Sequence, residues 1–212
     1  MILKLIGRLL VLSSIFLISC QSQESYTYEE IRPEIEQYLR PLPHNNFANA
    51  DTLTIYDSNY FEKMRAALSK YEGKLIVEDS VQQQLIVQRL IDIQKEKIQT
   101  RQPQIYLPFQ AIKEQLQPQY ASKIATYLTA LPQQFEAAKA QLEKPDLSHT
   151  QQTIEELKAG FSFVSNDVAV LLQQSNAVND YEEIIENTRL TIKDYIAFLN
   201  SKILNQEVNQ EE

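Results

Sequence analysis

In 212 residues this sequence has one cysteine, three glycines, two histidines and no tryptophan, and each shortage closes off some chemistry. With Cys20 alone, no disulfide can form within the chain and no thiolate zinc site can be built, so stability must come from packing. Glycine is too scarce for a phosphate-cradling loop or a run of β-hairpins, and no G-x-G-x-x-G, P-loop or G-x-S-x-G motif occurs. His44 and His149 fall in separate predicted loops with no second ligand at metal-binding spacing, and are read as non-ligating. Basic residues are outnumbered as well, 20 Lys and Arg against 28 Asp and Glu, and they are scattered, which argues against nucleic acid as a partner. Beyond residue 20 no apolar run is long enough to cross a bilayer.

What is present begins at the N-terminus. Lys4 and Arg8 precede an apolar run from residue 9 to 18, too short to span a membrane comfortably, and a small Ser19 precedes Cys20. The tetrad Leu17-Ile18-Ser19-Cys20 resembles a bacterial lipobox. That resemblance implies a signal peptide over 1–19, cleavage between Ser19 and Cys20, lipidation of Cys20, and a short polar tether over 20–26. The alternatives are an ordinary secretory signal with an incidental cysteine, or an uncleaved anchor. Two or more acyl chains, at about 0.8 kcal/mol per buried methylene, would hold the protein stably on a membrane. Gln21 stands where an aspartate is associated with inner-membrane retention, so the resemblance leans toward the outer membrane. Without Lys4 and Arg8 the chain has 18 basic against 28 acidic residues, about −10, so an anionic lipid surface would repel the body and leave anchoring to the lipid.

Apolar periodicity predicts an all-α domain over 27–204, an array of six or seven antiparallel helices, followed by an acidic tail over 205–212. A first helix is expected over 27–39, with Thr27 and Glu30 at capping-box spacing and Pro33 casting doubt on its exact start. Phe61, Met64, Leu68 and Leu75 follow Ser58 at helical spacing, with Gly73 as a left-handed cap. A third helix is expected over 79–99, ended by Pro103, and Pro108 is expected at the first position of the next, lined by Phe109, Ile112 and Leu116. Pro118 opens a longer helix bearing Ile124, Tyr127, Leu128 and Leu131, which Pro132 should kink or restart before Phe135, Ala138 and Leu142. Ser148 or Thr150 is expected to cap the next helix. Its seam runs through Ile154, Leu157, Phe161, Val164, Val168 and Leu171, with Gly160 permitting a close approach. The last helix, over 180–204, aligns Ile185, Ile192 and Leu199, with Tyr195 and Ile203 alongside.

Several features admit two readings. The tyrosines suit either a ligand groove or amphipathic positions at the core edge, and the second is preferred. Glu155, Glu156, Glu182 and Glu183 read as helix-dipole partners and solvated faces, with no metal role. The seam beginning at Ile154 reads as internal core in preference to a partner-helix site.

The segment YLTALPQQFEAAKAQLEKPDLSHTQQTIEELKAGFSFVSNDVAVLLQQ, with RQPQIYLP at 101–108 and DYIAFLNSKIL at 194–204, resembles the N-terminal helical region of a family of bacterial lipoproteins of the DUF885 type. In that family a C-terminal half bears a zinc-peptidase motif, H-E-x-x-P-G-H. No His-Glu pair occurs here, so the resemblance implies no catalytic, cofactor-binding or metal-binding residue in this chain. The expectation is a non-catalytic, membrane-anchored binding module of the cell envelope, held by lipidated Cys20 and engaging an envelope protein or peptide. The alternatives are half of a split or truncated peptidase that needs a separate catalytic half, or a structural envelope protein or decaying remnant.

Overall fold

The computed structural model describes residues 25–38, 54–72, 74, 91, 97–175 and 178–208. The expectations for residues 1–24, His44, Gly73, Leu75 and most of 79–96 lie outside the described residues.

The first two helices begin where local chemistry supplies a partner for their free N–H groups. Helix α1 (Tyr28–Ile35) starts at Thr27, whose hydroxyl accepts from the Glu30 N–H at 3.3 Å while Glu30 Oε2 accepts from the Thr27 N–H at 2.8 Å. This reciprocal box fixes the start despite Pro33, which lies inside the helix. A 3₁₀ turn, Glu36–Tyr38, continues α1. Helix α2 (Ser58–Ser69) is capped by Asp57, whose carboxylate accepts from the Tyr60 N–H at 2.9 Å. The third predicted helix does not reach Gln99 as α-helix. Lys97 turns left-handed at φ 50°, and Gln99 lies in a 3₁₀ turn, Ile98–Thr100, followed by a second, Pro103–Tyr106.

The short helix α3 (Phe109–Glu114) has Pro108 as its N-cap, one residue earlier than predicted. Pro118 opens a 3₁₀ turn, Pro118–Tyr120, and the long helix α4 (Ala121–Gln141) follows. α4 runs through Pro132 as one element, so the predicted restart does not occur. The proline removes one hydrogen bond, to the Leu128 carbonyl, but its ring is on the exposed side. The buried stripe of Leu128, Leu131, Phe135 and Ala138 holds the helix together across it.

Helix α5 spans 147–174, as Leu147–Phe163, a π-helical turn Val164–Val168, and Ala169–Gln174. Neither Ser148 nor Thr150 caps it. The N-cap is Asp146, whose carboxylate takes Arg101 Nη2 at 2.7 Å instead of the helix, while its N–H donates to the Arg101 carbonyl at 2.8 Å. The Thr150 hydroxyl donates back to the Asp146 carbonyl at 2.7 Å. Helix α6 (Tyr181–Val208) continues past Leu204, so residues 205–208 are helix and not tail.

These six α-helices make the fold all-α, with no strand among the described residues beyond an isolated bridge at Tyr26. α4 and α6 run parallel, since Phe135 stacks on Tyr195 and Thr126 shares a groove with Ile184, while α5 returns antiparallel between their ends. Lys139 on α4 is bound by Glu136 at 2.6 Å and by Asp194 of α6. Burial works against its ammonium, but the hydrogen bonds to Asp194 and Glu136 outweigh that and raise its pKa above the ordinary lysine value.

The seam on α5 differs from its predicted register. Ile154, Leu157, Val164, Val168 and Leu171 are buried, but Phe161 is only half-buried, and Gly160 and Phe163 occupy the interior instead. The π turn adds a residue to one turn of the helix, and both Val164 and Val168 face inward, with the buried positions resuming at Leu171 and Leu172. The Phe109 ring of α3 packs directly on Gly160. An added Cβ there would lie 2.5 Å from Cδ2 and Cε2 and 2.8 Å from Cγ, so the close approach expected of this glycine is made by an aromatic ring.

Gly160→Ala therefore gains about 1 kcal/mol of helix propensity but overpacks the site at about 1–3 kcal/mol. The expected result in urea unfolding is net destabilisation of about 1 kcal/mol. In the Phe109→Ala background the same change should become neutral or stabilising. A Gly160→Ala protein more stable than the parent in both backgrounds would contradict this packing.

Candidate functional site

Cys20 and Ser19, the residues that carry the anchoring expectation, lie outside the described residues, as does His44. His149 sits in the first turn of α5, not in a loop, and its Nδ1 lies 2.9 Å from Gln104 Nε2. No group of three His, Cys, Asp or Glu side chains able to hold a metal occurs among the described residues. Glu182 and Glu183 occupy the first turn of α6, as a dipole role requires. Glu155 and Glu156 do not sit at a helix start. They lie in the middle of α5, where Lys158 pairs with Glu155 at 2.6 Å and Gln152 donates to Glu156 at 2.7 Å.

Where the predicted tether meets the body, α1 and α2 form a small lobe with its own apolar cluster: Ile31, Ile35, Met64, Leu68, Tyr71 and Ile91 among its buried members. The chain enters along it. The Tyr26 N–H donates to the Lys74 carbonyl at 2.8 Å, and the Tyr26 ring meets Tyr71 edge-on at 5.2 Å. Glu34 of α1 then takes both the Tyr71 hydroxyl and the Lys70 ammonium of α2. Hydrogen bonds from Lys70 and from Tyr71 hold the Glu34 carboxyl below its ordinary value, and the same carboxylate pushes the Tyr71 hydroxyl up to about 12.

Tyr26, Tyr28, Tyr60, Tyr120 and Tyr181 are partly buried at the core edge, as expected, but others lie deeper. Tyr56, Tyr106 and Tyr195 are fully buried, so the preferred reading of their position understates their packing. The Tyr106 hydroxyl donates to the Gln99 carbonyl at 3.0 Å, and burial raises its pKa far above the usual range. Tyr195 stacks on Phe135 at 4.3 Å, and burial, with Tyr106 nearby, raises it strongly too. In both, burial favours the protonated, uncharged hydroxyl. The Tyr195 hydroxyl makes no hydrogen bond to the described residues.

Two open grooves lie on the α4–α5–α6 body. One, of about 670 Å³, runs between the start of α5 and the end of α6, with Ile154 and Ile203 flanked by Ser148, Gln151 and Asn200. The other, of about 540 Å³, lies at the opposite end of α4, between Thr126 and Thr129 and the α5–α6 connection at Val178 and Asp180. The threonine hydroxyls of the second donate to their own helix, at 2.9 Å each, to the Ser122 and Ala125 carbonyls. Sequence reading singled out neither groove, because residues about fifty positions apart meet there without any local signature.

No family model matches this chain, and no curated protein matches it. Among solved structures, a "putative lipoprotein of unknown function" from Shewanella oneidensis shares the fold, with a TM-score of 0.65 and 18% identity over 85% of this chain. The chain spans 38% of that protein's length. At this identity the likeness concerns the fold alone.

Two predictions follow from this geometry. Because Glu34 is depressed in the folded state, its contribution is complete above the ordinary value of 4.5 and is lost as pH falls through its lower native value. Glu34→Gln should flatten that acid-side loss of stability. In a tyrosinate absorbance titration it should also move one tyrosine from about 12 toward 10, and curves that superimpose on the parent's would refute the Glu34–Tyr71 link. Separately, Tyr195→Phe should leave thermal stability unchanged or raise it, whereas Tyr106→Phe, which strands the Gln99 carbonyl, should lower it by about 1 kcal/mol.

Proposed function

We propose that this chain is a bacterial envelope lipoprotein: Cys20 carries the acyl anchor, and the helical body is a non-catalytic binding module for an envelope protein or peptide. The observation that carries the reading is the N-terminal segment, with its basic flank, short apolar run and LISC tetrad ending on the chain's one cysteine. The fold shared with the Shewanella protein described as a lipoprotein agrees with it. Two groups with acid–base potential on the body are taken up in packing, His149 against Gln104 and Tyr106 against the Gln99 carbonyl. The groove at Ile154 and Ile203, rimmed by hydroxyl and amide groups of Ser148, Gln151 and Asn200, suits an extended peptide, whose backbone needs donors and acceptors beside an apolar floor. Gln21 following Cys20 leans the assignment toward the outer membrane.

A second reading, half of a split peptidase, rests on the resemblance in sequence; that the same fold recurs as 38% of a longer chain agrees with a half but carries no peptidase. The native protein, purified from detergent-solubilised membranes, separates the two by intact mass. A stoichiometric companion bearing zinc and a His-Glu motif would turn the assignment to the split enzyme.

Cys20→Ala should abolish acyl labelling and shift the protein from the detergent phase to the aqueous phase or to unprocessed precursor. Unchanged labelling in that variant would sink the anchor.

A further inference from the structure

We propose that the α1–α2 lobe is the surface this protein lays against the lipid–water interface, so that the α4–α6 body and its far groove point away from the membrane. This rests on the lipid-anchored reading and adds to it an orientation. From Cys20 to Tyr26 there are six Cα–Cα steps, which reach at most about 20 Å when fully extended. At Tyr26 the chain is fixed, because its N–H is bonded to the Lys74 carbonyl at 2.8 Å and its ring is packed on Tyr71. Tyr26 and the edge of the lobe around it must therefore stay within about 20 Å of the acylated residue. The lobe's connection at Tyr56 is held by Gln134 and Gln141 near the C-terminal end of α4, whereas Asn179 shares a groove with Ser122 and Thr126 near its other end, and Thr126 to Gln141 is roughly 22 Å along the axis, so Asn179 stands far from the lobe.

The lobe's chemistry suits that position. Tyr26 and Tyr28 sit half-buried at its rim, and tyrosine, with an apolar ring and a polar hydroxyl, is a residue favoured at membrane interfaces. The lobe is mixed in sign, with five Lys and Arg against seven Asp and Glu among its described residues, so the repulsion that the net acidic charge brings is weak there. The Glu34–Lys70–Tyr71 cluster ties α1 to α2, so the lobe meets the interface as a unit.

The test uses the full acylated protein in vesicles of phosphatidylethanolamine and phosphatidylglycerol containing a headgroup spin-labelled lipid. Ser69→Cys on α2 and Asn179→Cys beyond α5, both exposed, each receive a fluorophore. Quenching at Ser69 several-fold stronger than at Asn179, and declining when about fifteen Gly and Ser residues are inserted after Ser25, would support the orientation. Equal quenching at both sites, or none at Ser69 while the protein still floats with the vesicles, would overturn it. Protein that lacks acyl mass and fails to float would overturn the anchored reading itself, and the orientation with it.

Discussion

The parallel pairing of α4 and α6 is the contact on which the rest of this molecule depends. Phe135 and Tyr195 stack at 4.3 Å in its centre, and Lys139 joins Glu136 to Asp194 at its border. Two sequential helices joined by a short loop run antiparallel, so a parallel pair needs a third helix to bring the chain back. α5 does this, and by packing on both it closes the apolar core. Arg101 and Asp146 then bind each other through side chain and backbone, drawing the 3₁₀ turns before α3 onto the start of α5. With α5 held there, Phe109 can lie on Gly160, and α3 seals the remaining side.

A second, smaller cluster hangs on this core through aromatic rings. Tyr60 touches both clusters, meeting Tyr38 of the lobe at 5.8 Å and Tyr56 of the body at 5.0 Å, each edge to face. Phe61 continues the contact to Tyr106 at 6.4 Å. Gln134 and Gln141 of α4 grip the Tyr56 backbone, accepting from its N–H at 3.1 Å and donating to its carbonyl at 2.6 Å. Eleven tyrosines in a chain without tryptophan thus act as joints, burying large rings while hydroxyls find carbonyls and carboxylates where they can. The lobe so joined is the part nearest the predicted tether, and in the lipid-anchored reading we propose it would link anchor and body.

Much of this was legible in the residues. The spacing of Ile185, Ile192 and Leu199 gave the buried face of α6, and Thr27 with Glu30 gave the start of α1, because both signals are local and depend on one helix's own geometry. The failures are also physical. Pro132 did not break α4, since tertiary burial on both sides outweighs one lost hydrogen bond. Phe161 gave way to Gly160 because the Phe109 ring packs on the glycine, while the Phe161 ring lies at the α6 edge under Arg189 and Lys193. Asp146 left its helix uncapped because Arg101, 45 residues away, bound its carboxylate.

By itself the sequence determined the helical class, from scarce glycine and apolar periods of three and four, and it determined the anchoring expectation at Cys20, from the order of charge, apolar run and cysteine. These depend on neighbours along the chain. Tertiary structure alone decided that α4 and α6 run parallel, that Tyr56, Tyr106 and Tyr195 sit fully inside, and that Ser148, Gln151 and Asn200 share one groove. Those are contacts between residues tens of positions apart, made by whichever surfaces close the core with the fewest gaps, and no local pattern encodes such a choice.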